Sequence, residues 1–126
     1  MEELVEKSIR EASRVYYDLE WNIWAQTWLS GERSAHPAEA QWLRTERVFE
    51  ALISGEAEDG DDLRADRALA ACYAAEAAFY AAIGDRPKTA VAADQSVRFS
   101  RYVLAVDTGE DAFAAWDAAF DDVSDE

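Results

Sequence analysis

The chain has 126 residues, half of them apolar, and a formal net charge of −15. That length fits one domain, 1–126, which buries roughly two-thirds of the surface its unfolded chain exposes and so can hold a core without staples. The acidity repels phosphate and argues against direct nucleic-acid binding, and the single cysteine excludes an internal disulfide framework and a multi-cysteine zinc site.

Alanine is the commonest residue, whereas there are only 5 glycines and 2 prolines. Alanine loses no side-chain entropy in a helix, so this mixture favours helices over strands. Glycines that follow apolar-periodic stretches mark the helix ends: Gly31, Gly55, Gly84 and Gly109. Each can take the left-handed conformation that closes a last turn. They divide the chain into five helical segments.

The first segment is predicted over Glu3–Leu29, with Val5, Ile9, Ala12, Tyr16, Leu19 and Ile23 as its buried stripe. Its acidic start, Glu2, Glu3 and Glu6, suits the positive N-terminal end of the helix dipole. Tyr17, Trp21, Trp24 and Trp28 form a second stripe on the same helix, roughly 100° around from the first. Such a helix is either deeply buried or keeps one face for a partner. Tryptophan suits both, since it fills cores and is enriched at binding hot spots. A small-molecule pocket is a third use.

The second helix is predicted to open near Pro37 and to carry Trp42, Thr45, Phe49, Leu52 and Ile53 inward. His36, the only histidine, precedes that proline and is expected to do no more than cap. Residues 54–61 read as the one flexible loop. Asp61 or Asp62 then caps a third helix, apolar over most of its circumference and therefore expected at the centre. Within it, Cys72 reads as a small buried hydrophobe, and Glu76 as a carboxylate paired with Arg98 or Arg101.

Asp85 and Pro87 open the fourth helix, whose stripe is Ala92, Phe99, Val103 and Val106. Glu110 and Asp111 begin a short fifth, with Phe113, Trp116, Phe120 and Val123 facing in. The expected fold class is all-α, an antiparallel bundle of four long helices plus a short C-terminal helix.

Chemistry-bearing patterns are missing. One histidine and one cysteine give zinc no first shell, and the Glu-x-x-His pairs of a carboxylate-bridged iron site do not occur. Phosphate-cradling glycine loops and a Ser–His–Asp pattern are absent as well. No catalytic residue, metal or cofactor is expected, and the chain is not read as an enzyme. Without a basic, apolar leader or an apolar run of about 18 residues, it is expected in the cytoplasm and off the membrane.

Charge is the stronger signal. Residues 54–66 and 107–126 carry 13 of the 15 net negative charges. Adaptation to high salt would spread acid over every exposed face, whereas two concentrated blocks suit an interaction surface or two solvated ends. The candidate partner-binding residues are Glu56, Glu58, Asp59, Asp61 and Asp62 in one block. In the other they are Asp117, Asp121, Asp122 and Asp125.

The stretch Trp24-Ala25-Gln26-Thr27-Trp28-Leu29-Ser30-Gly31-Glu32-Arg33-Ser34 resembles the Ala-rich helical immunity proteins of bacterial toxin systems. Asp85-Arg86-Pro87 opening one helix, with Gly109-Glu110 closing the next link, is a second similarity. The resemblance implies a protein that binds and neutralises a partner, and it brings no catalytic residues.

The expected function is therefore an acidic helical binding protein directed at a basic protein: a nuclease, a toxin or a DNA-binding protein. An immunity protein and a phage-type inhibitor or DNA mimic with an anti-defence role are two forms of it. The alternative is a homo-oligomeric structural or assembly protein, at its simplest a homodimer, with Tyr17, Trp21, Trp24 and Trp28 as interface.

Overall fold

A computed structural model describes residues 2–56 and 63–120, with no account of the side chains at 55 and 56. It is all-helical, with 85% of those residues in helices and no strand among them. The helices are α1 (Glu2–Ser13), α2 (Leu19–Leu29), α3 (Ala35–Ala51), α4 (Leu63–Ala82), α5 (Arg86–Asp107) and α6 (Ala112–Phe120). A single π-helical turn, Leu52–Glu56, extends α3. Six helices therefore replace the expected five.

The difference lies in the first segment, which breaks between Ser13 and Leu19. Asp18 is extended (φ −131°, ψ 125°) and its carboxylate accepts the Trp21 N–H at 2.9 Å. It starts a new helix there by supplying an acceptor to an otherwise orphaned donor. Across the break, the Val15 carbonyl takes a guanidinium N–H of Arg67 at 3.1 Å. The interruption thus leaves neither of these backbone groups unmet.

Restarting the helix resets its phase. Val5, Ile9 and Ala12 are buried as expected, but Leu19 and Ile23 are 77% and 59% exposed. Trp21, Trp24, Ala25 and Trp28 face the core in their place.

Asp85 caps α5 by accepting the Lys88 N–H, with Pro87 in the first turn, where a missing N–H costs nothing. Gly31, Gly84 and Gly109 all have positive φ, as their places after α2, α4 and α5 require. After each, the next residue's N–H reaches back five residues, for example Asp85 N to the Tyr80 carbonyl at 2.9 Å. This satisfies carbonyls that the helix end leaves open. Gly55 falls inside the π turn, and residues 57–61 of the expected loop lie outside the described residues, as do the proposed caps Asp61 and Asp62. The cap of α3 is Ser34 rather than His36, which is exposed.

Helix α4 is central, packing against α1, α3 and α5, while α5 also packs on α1 and α6. Alanines make up seven of its eight buried residues, the other being Cys72. Alanine lets neighbouring backbones come close. Ser96 of α5 shows how close, since its hydroxyl donates to the Ala70 carbonyl of α4 at 2.8 Å. At the far end, Ala115 is the buried residue of α6, Phe120 is half-buried and Val123 lies outside the described residues. Phe113 and Trp116, expected inward, are 84% and 44% exposed.

Candidate functional site

The expected aromatic stripe is mostly interior. Trp21, Trp24 and Trp28 are 0%, 7% and 2% exposed, and the rings run edge to face from Tyr16 through Trp21 to Trp24 at 5.9 and 5.5 Å. Only Tyr17 is on the surface, with the Arg67 guanidinium 5.8 Å from its ring. The three indoles thus pack within this chain, in line with the core alternative for the stripe. Their burial has a cost, because the N–H groups of Trp21 and Trp28 have no acceptor among the described residues.

Of the acidic blocks, Asp117 is exposed on α6 and Glu56 ends the π turn. Glu58, Asp59, Asp61, Asp62, Asp121, Asp122 and Asp125 lie outside the described residues.

Four arginines are committed to contacts that tie the chain together. Arg33 pairs with Glu2 and with Glu6 (2.6 Å) and donates to the Trp28 carbonyl at 3.1 Å, tying the end of α2 to the start of α1. Arg44 of α3 holds Asp18 at 2.7 Å. Its guanidinium, followed by the Trp21 N–H, keeps the Asp18 carboxyl below the ordinary range. Arg67 of α4 reaches Asp107 at the end of α5 at 2.7 Å. Arg98 takes Asp94 at 2.7 Å and the Ala119 carbonyl of α6 at 2.8 Å. Each of these four guanidinium groups joins two elements or closes a helix end.

Glu76 does not follow that pattern. Neither Arg98 nor Arg101 pairs with it, and no other ion pair to it occurs among the described residues. It lines two grooves. One, of about 470 Å³ between α3 and α4, has Trp42, Phe49, Leu69 and Tyr73 as walls and also carries Glu46 and Glu50. The other, between α4 and α5, is bordered by Tyr80, Lys88 and Val91. Burial, then repulsion from Glu46, pushes the Glu76 carboxyl above its ordinary value. This acid-rimmed groove is missing from the sequence reading. The signal available was Glu46 and Glu50 one turn apart on α3, interleaved with Trp42 and Phe49.

A titration follows from Glu76. A carboxyl whose value rises on folding binds its proton more tightly in the folded chain than in the unfolded one. Folding stability therefore falls as pH rises from the ordinary glutamate value of 4.5 through the raised one, and the penalty is complete above it. Glu76→Gln should raise the melting temperature at neutral pH, with the gain fading as pH drops below that ordinary value. Equal gains at both ends of a pH series of thermal melts would show that Glu76 is not held as described. The groups around it are Glu46 and Glu50 from α3, Cys72 and Tyr73 from α4, and Lys88 from α5.

Cys72, at the base of the same groove, is 5% exposed, and burial pushes its thiol up to about 12. It is therefore a neutral thiol at physiological pH and a poor nucleophile. Among the described residues no three His, Cys, Asp or Glu side chains are grouped to hold a metal ion. No helix among them is long and apolar enough to cross a membrane.

Compared with known protein families, curated proteins and solved structures, the chain matches none. The immunity-type resemblance therefore rests on residues 24–34, 85–87 and 109–110 alone.

Proposed function

We propose that this chain is a non-catalytic, cytoplasmic binding protein that neutralises a basic protein partner. The observation that supports it is the division of charge. Arg33, Arg44, Arg67 and Arg98 are engaged with partners inside the fold, whereas acidic residues outnumber basic ones by 27 to 12 and Glu46, Glu50 and Asp117 are exposed among the described residues. A surface of that kind attracts proteins that themselves bind nucleic acid: a nuclease toxin or a DNA-binding protein. An immunity protein and a DNA-mimicking phage inhibitor share this physics. A homodimer built on Trp21, Trp24 and Trp28 has less support, because those side chains are spent on the core.

Exposed ion pairs contribute only about 0–1 kcal/mol each, so the acidic blocks act chiefly by steering encounter. The test is the association rate of the partner captured from the native host, measured between low and physiological salt. In wild type the rate should fall steeply as salt is added. Neutralising Asp117, Asp121, Asp122 and Asp125 to Asn should slow association about tenfold at low salt without altering the circular dichroism. Neutralising Glu56, Glu58, Asp59, Asp61 and Asp62 should have a smaller effect, since Arg64 lies nearby in sequence. If both variants associate at the wild-type rate and salt changes neither, the acidity is a solvated coat and the proposal fails.

A further inference from the structure

The chain twice builds a guanidinium site from one aromatic ring and one or more carboxylates. Arg33 lies 5.8 Å from the Trp28 ring while Glu6 takes its Nη2 at 2.6 Å. Arg67 lies 5.8 Å from the Tyr17 ring while Asp107 takes its Nη2 at 2.7 Å. The ring attracts the cation through its face, and the carboxylate accepts its in-plane N–H groups.

The α3–α4 groove has the same parts without the guanidinium. Trp42 and Tyr73 supply rings, and Glu46, Glu50 and Glu76 supply carboxylates around about 470 Å³ of space. Neither lysine nor arginine lines it, and none of the three carboxylates has an ion pair among the described residues. All 12 lysines and arginines of the chain lie among the described residues, and none of them lines this groove.

We propose that the groove between α3 and α4 is a socket for an arginine side chain of a basic protein partner. The proposal rests on the reading of the chain as a binding protein for such a partner, and it locates one contact of that complex.

Charge complementarity selects the occupant. A neutral apolar group would desolvate Glu76 further and leave it unpaired, an outcome that opposes binding. The raised pKa of Glu76 agrees, since a bound cation would favour the charged form that burial and Glu46 now oppose. Lys88, across Glu76 on α5, is turned to Asp85 at 3.9 Å and lies 5.4 Å from the Tyr80 ring. A metal ion is a poor match, because these side chains are not grouped to hold one. Guanidinium suits the groove better than ammonium does. It is flat enough to lie on a ring while donating to two carboxylates, and its alkyl stem can rest on Phe49 and Leu69.

The probe is N-acetyl-arginine amide, titrated into the full chain while the indole N–H resonances are followed. The Trp42 resonance should shift saturably, with a dissociation constant of about a millimolar, and that of Trp116 should stay in place. The citrulline counterpart, nearly the same shape without the charge, should bind at least about tenfold more weakly. The Glu46→Gln, Glu50→Gln double variant should lose affinity about tenfold; both side chains are exposed, so the fold is kept. Absence of saturation, equal binding of citrulline, or an unchanged double variant would each overturn the socket.

The partner separates this proposal from its parent. If neutralised acidic blocks slow association while the groove variant leaves dissociation unchanged, the socket fails and the charge reading stands. Salt-independent association would overturn the charge reading itself, whatever the probe does at Trp42.

Discussion

Trp21→Ala should lower the folding free energy by about 3–5 kcal/mol, the cost of emptying the volume of a large buried aromatic side chain. Trp21 is fully buried and meets Tyr16 and Trp24 edge to face. Collapse into the void is restricted, because α2 is fixed at its start by Asp18–Arg44 and just past its end by Arg33–Glu6. Trp21→Phe should cost much less than the lost volume suggests. It also removes an indole N–H that has no acceptor among the described residues, a buried donor worth about 1–3 kcal/mol of penalty. Urea unfolding separates the two variants by their midpoints at constant slope. Equal losses for alanine and phenylalanine would show that the indole N–H is satisfied after all. Trp24→Glu should leave no folded protein, since it puts a charge at a site that is 7% exposed.

Much of the helical framework is legible in the sequence, because its signals are local. Gly31, Gly84 and Gly109 end their helices through backbone geometry that glycine favours, and Asp85 with Pro87 opens α5 through one side chain and one ring. The centrality of α4 follows from a composition that is apolar over most of its circumference. The break before Leu19 is a different matter. Val5, Ile9, Ala12, Tyr16, Leu19 and Ile23 form an uninterrupted helical stripe, so periodicity alone continues the helix. What stops it is Asp18, held by Arg44 from another helix, and Val15, whose carbonyl meets Arg67 from a third. Those are tertiary contacts. Two apolar stripes on one predicted helix were the trace they left: one belongs to α1, the other to α2. The exposure of Phe113 and Trp116 is also hidden, since among the described residues α6 packs only on α5, and a nine-residue helix with one such neighbour cannot bury every aromatic group.

The same contrast applies to the groove. Charge blocks can be counted along a chain, and residues 54–66 and 107–126 stand out by that count. Glu46 and Glu50 are diluted in a segment whose net charge is small, and a half-buried carboxylate such as Glu76 ordinarily pairs with an arginine. Arg98, the nearer choice in sequence, is engaged by Asp94 and by the end of α6 instead. Which carboxylates remain unpaired depends on how helices pair, and local patterns do not carry that.

Ser96 marks the tightest seam and carries the second large effect. Its hydroxyl donates to the Ala70 carbonyl of α4 at 2.8 Å and lies 3.5 Å from the Ser8 carbonyl of α1, so three helices meet at one small side chain. Ser8 and Ser96 are both fully buried, and the hydroxyls of Ser8 and Ser100 are turned onto carbonyls of their own helices. Ser96→Ala removes one hydrogen bond but keeps the shape, because the Ala70 carbonyl can retain its intrahelical partner. It should cost about 1 kcal/mol. Ser96→Leu keeps neither, since its added carbons require α1 or α4 to move away from α5. It should cost about 2–4 kcal/mol, overpacking added to the lost bond. Comparable losses in urea unfolding would mean that the three backbones are not in close contact at this point. Helix α3 makes no contact with α1 or α5, so the walls contributed by Trp42 and Phe49 should be undisturbed in Ser96→Ala. That variant should bind the arginine probe as the wild type does while unfolding at lower urea, because the seam that sets stability and the groove proposed for binding lie against different neighbours of α4.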